Sequence, residues 1–397
     1  MEIDKKLLTK ELEKIKYELS RKQSLKGFEN EINNIDDYEQ LLLFMGEIPK
    51  ERFDSLMTTS KQMRSAKKSR KIAINEICDF INQNSEIIQK GFNNFEQMLS
   101  KDNTFQMAPT YNLKKINLKL LRELLFEYYS QYGDNIYKII KKYMDEKRVY
   151  YGNLFEPGIG GTYLSSKITK SGYINIEEYE KMTMITLAML VHELGHAIDA
   201  ETLEFPQSKN INIVSDLLLE VPSIHFEMGF IDFLIKNNIY IKDAHAILQL
   251  RYDECSYLMK SFDKFCGLEH FYINESGYVT DEYGTFIDEK GEKIEMLESC
   301  EDDGCDDIEL PLPMDMPTTL KYGLGTYIAS QTNELASQDR KAYVKDFLNF
   351  TTQRKESSFI ESLERLGISE EQFTSASIIK PRIEQELKLT KKMWNFK

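Results

Sequence analysis

Apolar residues recur along most of this chain at three- and four-residue intervals, the period of a helix that buries one face. Leu7, Leu8, Leu12, Ile15 and Leu19, with charges between them, set the pattern, and residues 1–130 read as helices. Residues 131–150 predict a further amphipathic helix. The stretch from Met184 to Val191 is almost unbroken in its apolarity and continues into Ala197 and Ile198, which predicts a helix buried on most sides. A leucine run, Leu217 to Leu219, leads into another apolar element, where Pro222 predicts a first turn or a kink. From Tyr322 to the end the chain again reads as helical, and no internal repeat is visible.

Two stretches depart from this period. Gly152 to Gly172 is rich in glycine and predicts extended structure. Its Gly158-Ile159-Gly160-Gly161 lacks the Lys-Ser/Thr ending and the preceding apolar strand of a phosphate loop. Between 271 and 296, Tyr278-Val279, Tyr283, Phe286-Ile287 and Ile294 alternate with polar residues around Gly284 and Gly291, the signature of a small β-hairpin or meander. That segment reads as an insertion rather than as core. The fold class is therefore mainly α, with a small edge β-sheet.

The buried helix carries the chemistry. His192-Glu193-Leu194-Gly195-His196 places two imidazoles four residues apart, one above the other and about 6 Å apart along the axis. They can hold one metal ion from one side, with Glu193 within reach of a water on it, the arrangement of zinc proteases. Unpaired polar groups on so apolar a helix would cost several kcal/mol each, and a metal with its water satisfies all three. Gly195 costs about 1 kcal/mol relative to Ala inside a helix, so something must approach the backbone there.

A catalytic zinc takes three protein ligands and leaves one position open. Thr202 stands where a third histidine just downstream would be needed, and the other histidines are His225, His245 and His270. The best carboxylate is Glu220, which follows the leucine run and, if buried, needs a cation. Glu227, seven residues on, shares a face with Glu220 and Ser223 and could orient a ligand histidine. Asp199, three residues after His196, is a weaker candidate for the same task.

Composition narrows the partners. With 51 basic and 65 acidic residues the 397-residue chain has a net charge of −14, which argues against nucleic acid or an anionic membrane as the main partner. Lys61 to Arg70 is a basic patch that reads as a solvated helix face, and Glu301 to Asp307 an acidic loop without the spacing of a calcium site. Five cysteines, Cys78, Cys255, Cys266, Cys300 and Cys305, contain no CxxC and read as free thiols. The N-terminus has no apolar signal region and no stretch reaches the length of a membrane span, so the cytoplasm is expected. Oligomeric state is not legible.

His192 to His196, followed by Glu220-Val221-Pro222-Ser223 and Glu227, resembles the oligoendopeptidase F and thimet oligopeptidase family of zinc metallopeptidases. Gly160-Gly161-Thr162-Tyr163 and Tyr173-Ile174-Asn175 are similar to the family's edge strand and the stretch leading to it. Lys321-Tyr322-Gly323-Leu324-Gly325 is similar to the segment whose phenol faces the zinc, and Leu363 to Ile368 to the closing segment. The likeness covers residues 130–397 and is specific at the metal motifs. Leu310 to Pro317 lacks the histidine usual before the tyrosine segment, and the chain is short for the family.

The resemblance implies a bilobed helical peptidase with a deep cleft, residues 1–130 as an N-terminal helical lobe and 131–397 as the catalytic domain. It implies one Zn2+ per chain held by His192, His196 and Glu220. The bound water, its pKa lowered to about 7, is then deprotonated by Glu193 as general base. Tyr322, with Tyr327 as second choice, would donate to the oxyanion. Gly161 and Tyr163, with Tyr327, would bind substrate, the backbone of Gly160 to Tyr163 pairing with an extended peptide. The expected activity is endopeptidase cleavage of short oligopeptides. The alternatives are a catalytically weakened peptide-binding relative and a non-haem iron enzyme; the latter lacks a second ExxH, since His225 stands five residues after Glu220.

Overall fold

The computed structural model describes residues 50–100, 115–116, 118–146, 148–151, 161–166, 171–176, 183–203, 212–268, 272–274, 277–281, 283–288, 291–294 and 314–394. The heptad-like leucines before residue 20, the glycines at 158–160, His270, Cys300, Cys305 and the acidic loop lie outside these residues. The basic patch falls on a helix whose side chains there also lie outside them.

Helix α1 (Lys50–Ser100) is followed by α2 (Leu118–Ser130) and α3 (Asp134–Asp145). In α1, Ile77, Phe80, Ile81, Ile88, Phe92, Phe95 and Leu99 fall on one stripe and are buried. The expected helix over 131–150 is thus shorter, because Gly133 takes a left-handed φ of 89° and separates it from α2.

Strands β1 (Val149–Tyr151), β2 (Gly161–Ser166) and β3 (Ser171–Ile176) form one sheet in the order β1-β3-β2. β1 runs parallel to β3, and β2 pairs antiparallel to it with Gly161 opposite Ile176 and Ser166 opposite Ser171. Among the described residues β2 is thus one of the two edge strands, β1 being the other. The described residues of the glycine-rich stretch, 161–166 and 171–172, are extended.

Next comes α4 (Met184–Thr202), the metal-motif helix, on which thirteen residues from Met184 to Asp199 are buried. The short α5 (Ile213–Leu217) leads to α6 (Glu220–Lys236), buried continuously from Glu220 to Leu234. Pro222 lies in its first turn, where the missing N–H has no helical partner to lose. The long α7 (Ile241–Cys266) packs on α6 and on α1.

β4 (Tyr272–Ile273) and β5 (Val279–Thr280) pair antiparallel, and bridges from Thr280 to Phe286 and from Ile287 to Lys293 extend them into a meander. This segment is less of an appendage than its sequence suggests. The Val279 and Met314 backbones bond at 2.9 Å, Met314 N–H donates to Ile287 at 2.8 Å, and Met316 N–H to Gly277 at 3.2 Å. Val279 and Ile287 also join the core. The meander therefore anchors the start of α8 (Met316–Ala336), which Asp315 caps by accepting from Thr318 N–H at 3.1 Å. Helices α9 (Arg340–Gln353), α10 (Phe359–Arg365), α11 (Glu370–Ser375) and α12 (Lys380–Trp394) complete the chain. One continuous apolar core runs from Ile77 to Leu387. No helix among the described residues is long and apolar enough to cross a membrane.

Candidate metal centre

The ligand geometry begins with two backbones in contact. A Cβ on Gly195 would lie 2.5 Å from Ser223 Cα and 3.0 Å from the Pro222 carbonyl, so α4 and the first turn of α6 touch at this point. That is the close approach the glycine predicts. From the other side, a Cβ on Gly325 would meet Ile224 Cδ1 at 2.9 Å and Glu220 Cβ at 3.0 Å, so α8 presses on the same turn. Two glycines thus bring three helices together around Glu220. Its place at the N-terminus of α6 suits a carboxylate, because the helix dipole is positive there.

Glu220 Oε2 lies 3.2 Å from His192 Nε2 and 3.3 Å from His196 Nε2. The three ligand atoms all fall within 4.8 Å of one another. Ligands about 2.0–2.2 Å from a tetrahedral zinc stand roughly 3.3–3.5 Å apart, so this spacing fits the ion. The donor set argues the same way. Glu227 Oε2 is 3.0 Å from His192 Nδ1; a carboxylate only accepts, so Nδ1 carries the proton and Nε2 presents its lone pair to Glu220. Two acceptors then face each other unless a cation or a proton lies between them. Burial pulls the His192 pKa down, but its bonds to Glu220 and Glu227 outweigh that and raise it to about 10. Burial likewise opposes the charge on Glu220, and the two histidines lower its pKa well below the usual range. Ser223 adds a hydroxyl bond, donating to Glu220 Oε2 at 3.2 Å and to the Glu220 carbonyl at 2.9 Å.

Glu193 stands beside the triad, 7 % exposed, and its pKa is raised by burial against the lowering field of His192 and His196. It faces the sheet edge: a Cβ on Gly161 would lie 3.0 Å from Glu193 Oε1 and 3.2 Å from its Cγ. Tyr163, two residues along the same strand, stacks on His196 with ring centroids 6.4 Å apart and planes at 21°. Its hydroxyl meets that of Tyr143 at 3.2 Å, and Tyr143 reaches Glu201, which Lys142 holds at 2.7 Å. Gly161 and Tyr163 therefore line the centre on one side.

The two tyrosines of α8 separate. Tyr322 is half-buried, and its pKa is raised first by burial and then by the charges of Glu220 and Glu193, which places its phenol in the field of the centre. No hydrogen bond to its hydroxyl is made among the described residues. Tyr327 is fully buried and points away: its hydroxyl donates to the Phe373 carbonyl and its ring stacks on Phe95. Asp199 likewise points elsewhere, accepting from Arg354 at 2.8 and 2.6 Å. His225 and His245 are core residues, bonded to Thr332 at 2.8 Å and Thr390 at 3.1 Å, with pKa values pulled down by burial to about 3 and about 4.

The sequence reading missed Arg251 and Gly325. Arg251 donates to Glu227 from α7, at 3.2, 2.8 and 2.6 Å. The only hint of it was the cation that a buried Glu227 requires. Gly325 stood inside the quoted tyrosine segment, and its pairing with Glu220 is visible only in three dimensions.

No family model matches the sequence, and neither does any curated protein. Its fold does have solved counterparts. One is a crystal structure assigned as an oligoendopeptidase F from Bacillus anthracis str. Ames, with a TM-score of 0.52 at 16% identity over 92% of this chain and 64% of that one. Another is PZ peptidase A with an inhibitor, with a TM-score of 0.51 at 12% identity over 79% of this chain and 59% of that one. The fold is thus the mainly helical one of oligoendopeptidase-type structures. The chain spans less than two thirds of the length of either protein.

Proposed function

We propose that this chain is a zinc-dependent endopeptidase acting on short peptides in the cytoplasm, with residues 1–130 as an N-terminal helical lobe and residues 131–397 carrying the chemistry. The observation that carries the proposal is the convergence of His192 Nε2, His196 Nε2 and Glu220 Oε2 beside a glutamate that abuts an edge strand. A zinc ion held by these three residues would supply Lewis acidity toward a carbonyl and an acidified water. Glu193, its pKa raised by burial, accepts the proton of the attacking water and returns it to the leaving amine. The edge of β2 that is unpaired among the described residues pairs with an extended peptide and brings the scissile bond past Glu193. Gly161 suits that passage, because a side chain there would crowd Glu193. The Tyr322 hydroxyl, protonated across the working range, donates to the developing oxyanion.

Glu193→Gln tests the proposal. The variant is expected to take up about one zinc per chain, as the wild type does, while hydrolysis of a peptide library falls at least about 10²–10⁴-fold. Undiminished turnover removes Glu193 as base. A zinc-loaded wild type that binds peptides and cleaves none favours the peptide-binding alternative.

A further inference from the structure

The two histidines of the centre are held by unlike means. His196 has an aromatic ring laid against it, whereas His192 ends a chain of charges that crosses three helices. From α7, Glu254 accepts from Arg251 Nη1 at 2.7 Å, and Arg251 holds both oxygens of Glu227 on α6. Glu227 in turn accepts from His192 Nδ1 on α4 at 3.0 Å. Glu227 is 2 % exposed, so few other partners can reach it.

We propose that Arg251 is a positioning residue for metal binding: by clamping Glu227 it fixes the His192 ring with Nε2 turned toward Glu220. This rests on the metal-binding reading of the centre. A glutamate held only by His192 could rotate about its side-chain bonds and carry the imidazole with it. Three hydrogen bonds from a planar guanidinium remove that freedom, and a lysine ammonium cannot reproduce them. Such outer partners typically contribute about 10–100-fold to metal affinity. The sign of the effect separates positioning from simple charge. By field alone, removing a cation near a metal site strengthens metal binding, and removing the Glu254 anion weakens it. Positioning demands the reverse order.

The experiment compares zinc dissociation constants, by competition with a chromophoric chelator, for wild type, Arg251→Gln, Arg251→Lys and Glu254→Gln, each checked for fold by circular dichroism. Arg251→Gln is expected to weaken zinc binding about 10–100-fold, Arg251→Lys to fall between it and wild type, and Glu254→Gln to stay close to wild type. The cobalt-substituted forms give a second readout: the visible ligand-field bands should shift in Arg251→Gln and hold in Glu254→Gln. Zinc affinity equal to or tighter than wild type in Arg251→Gln overturns the proposal. So does a larger loss in Glu254→Gln. If Arg251→Gln does not fold, Arg251→Lys keeps the charge and decides, and wild-type affinity in it overturns the proposal. A wild-type chain that takes up no zinc overturns the metal reading as well, which distinguishes the two failures.

Discussion

Glu227 with Arg251 and Asp199 with Arg354 are the same chemistry used for two purposes. Each is a buried carboxylate held by a guanidinium through both oxygens; Glu227 lies against the metal-motif helix and Asp199 is on it. Glu227 spends one oxygen on His192 as well. Asp199 makes no bond to either histidine among the described residues, and its partner Arg354, 2 % exposed, also donates to Ser215 at 3.2 Å. The first pair bonds a candidate ligand, His192; the second ties the end of α4 to α5 and to the end of α9. A buried ion pair is therefore no sign of function in itself, and what the carboxylate's remaining lone pairs touch decides its role.

The sharpest way to break this contrast is Asp199→Ala. It strands Arg354 in the core and is expected to cost about 3–5 kcal/mol of stability in chemical denaturation, while the folded protein keeps wild-type zinc affinity. Weakened zinc binding in that folded variant would erase the distinction.

A parallel contrast within α8 gives the next effect. Tyr322→Phe is expected to lower kcat/KM by about 3 kcal/mol, the usual loss for an oxyanion donor, with stability almost unchanged. Tyr327→Phe is expected to do the opposite, losing about 1 kcal/mol of stability with its bond to Phe373 and leaving kcat/KM intact. Steady-state kinetics beside thermal melts separate the two, and equal kinetic losses would sink the assignment.

The smallest effect concerns the helix contact. Gly195→Ala forces a methyl against Ser223 Cα and is expected to cost about 1–3 kcal/mol with a measurable loss of zinc affinity, since it pushes His196 away from Glu220. Differential scanning calorimetry with zinc titration reads both, and a neutral substitution would mean the helices are free to part.

What could be read from the sequence follows from range. His192, Glu193 and His196 lie within one helical turn and a half, so their spacing alone states their geometry. Glu220 was the best carboxylate because it follows a leucine run, and the structure does bury it beside both histidines. Glu227 was preferred to Asp199 because it shares a face with Glu220, but the residues that hold the two carboxylates, Arg251 and Arg354, lie elsewhere in the chain, and Arg354 is 155 positions from Asp199. Tyr322 was preferred to Tyr327 only through the resemblance of its segment, not through helical period. Five residues turn a helix about 140° further round, so only one can face the centre, and the period does not say which. The meander read as an insertion because its alternation is local. Its bonds to Met314 and Met316 are not, and they make it the anchor of the helix that carries Tyr322.

The most direct measurement is a zinc titration of chelator-stripped protein while cleavage of a quenched-fluorescence oligopeptide is followed. The proposal that His192, His196 and Glu220, whose ligand atoms lie within 4.8 Å of one another, hold a single ion predicts no turnover without metal and a rise that levels off at one zinc per chain. Turnover that survives metal removal, or that levels off only at two metal ions per chain, would contradict it.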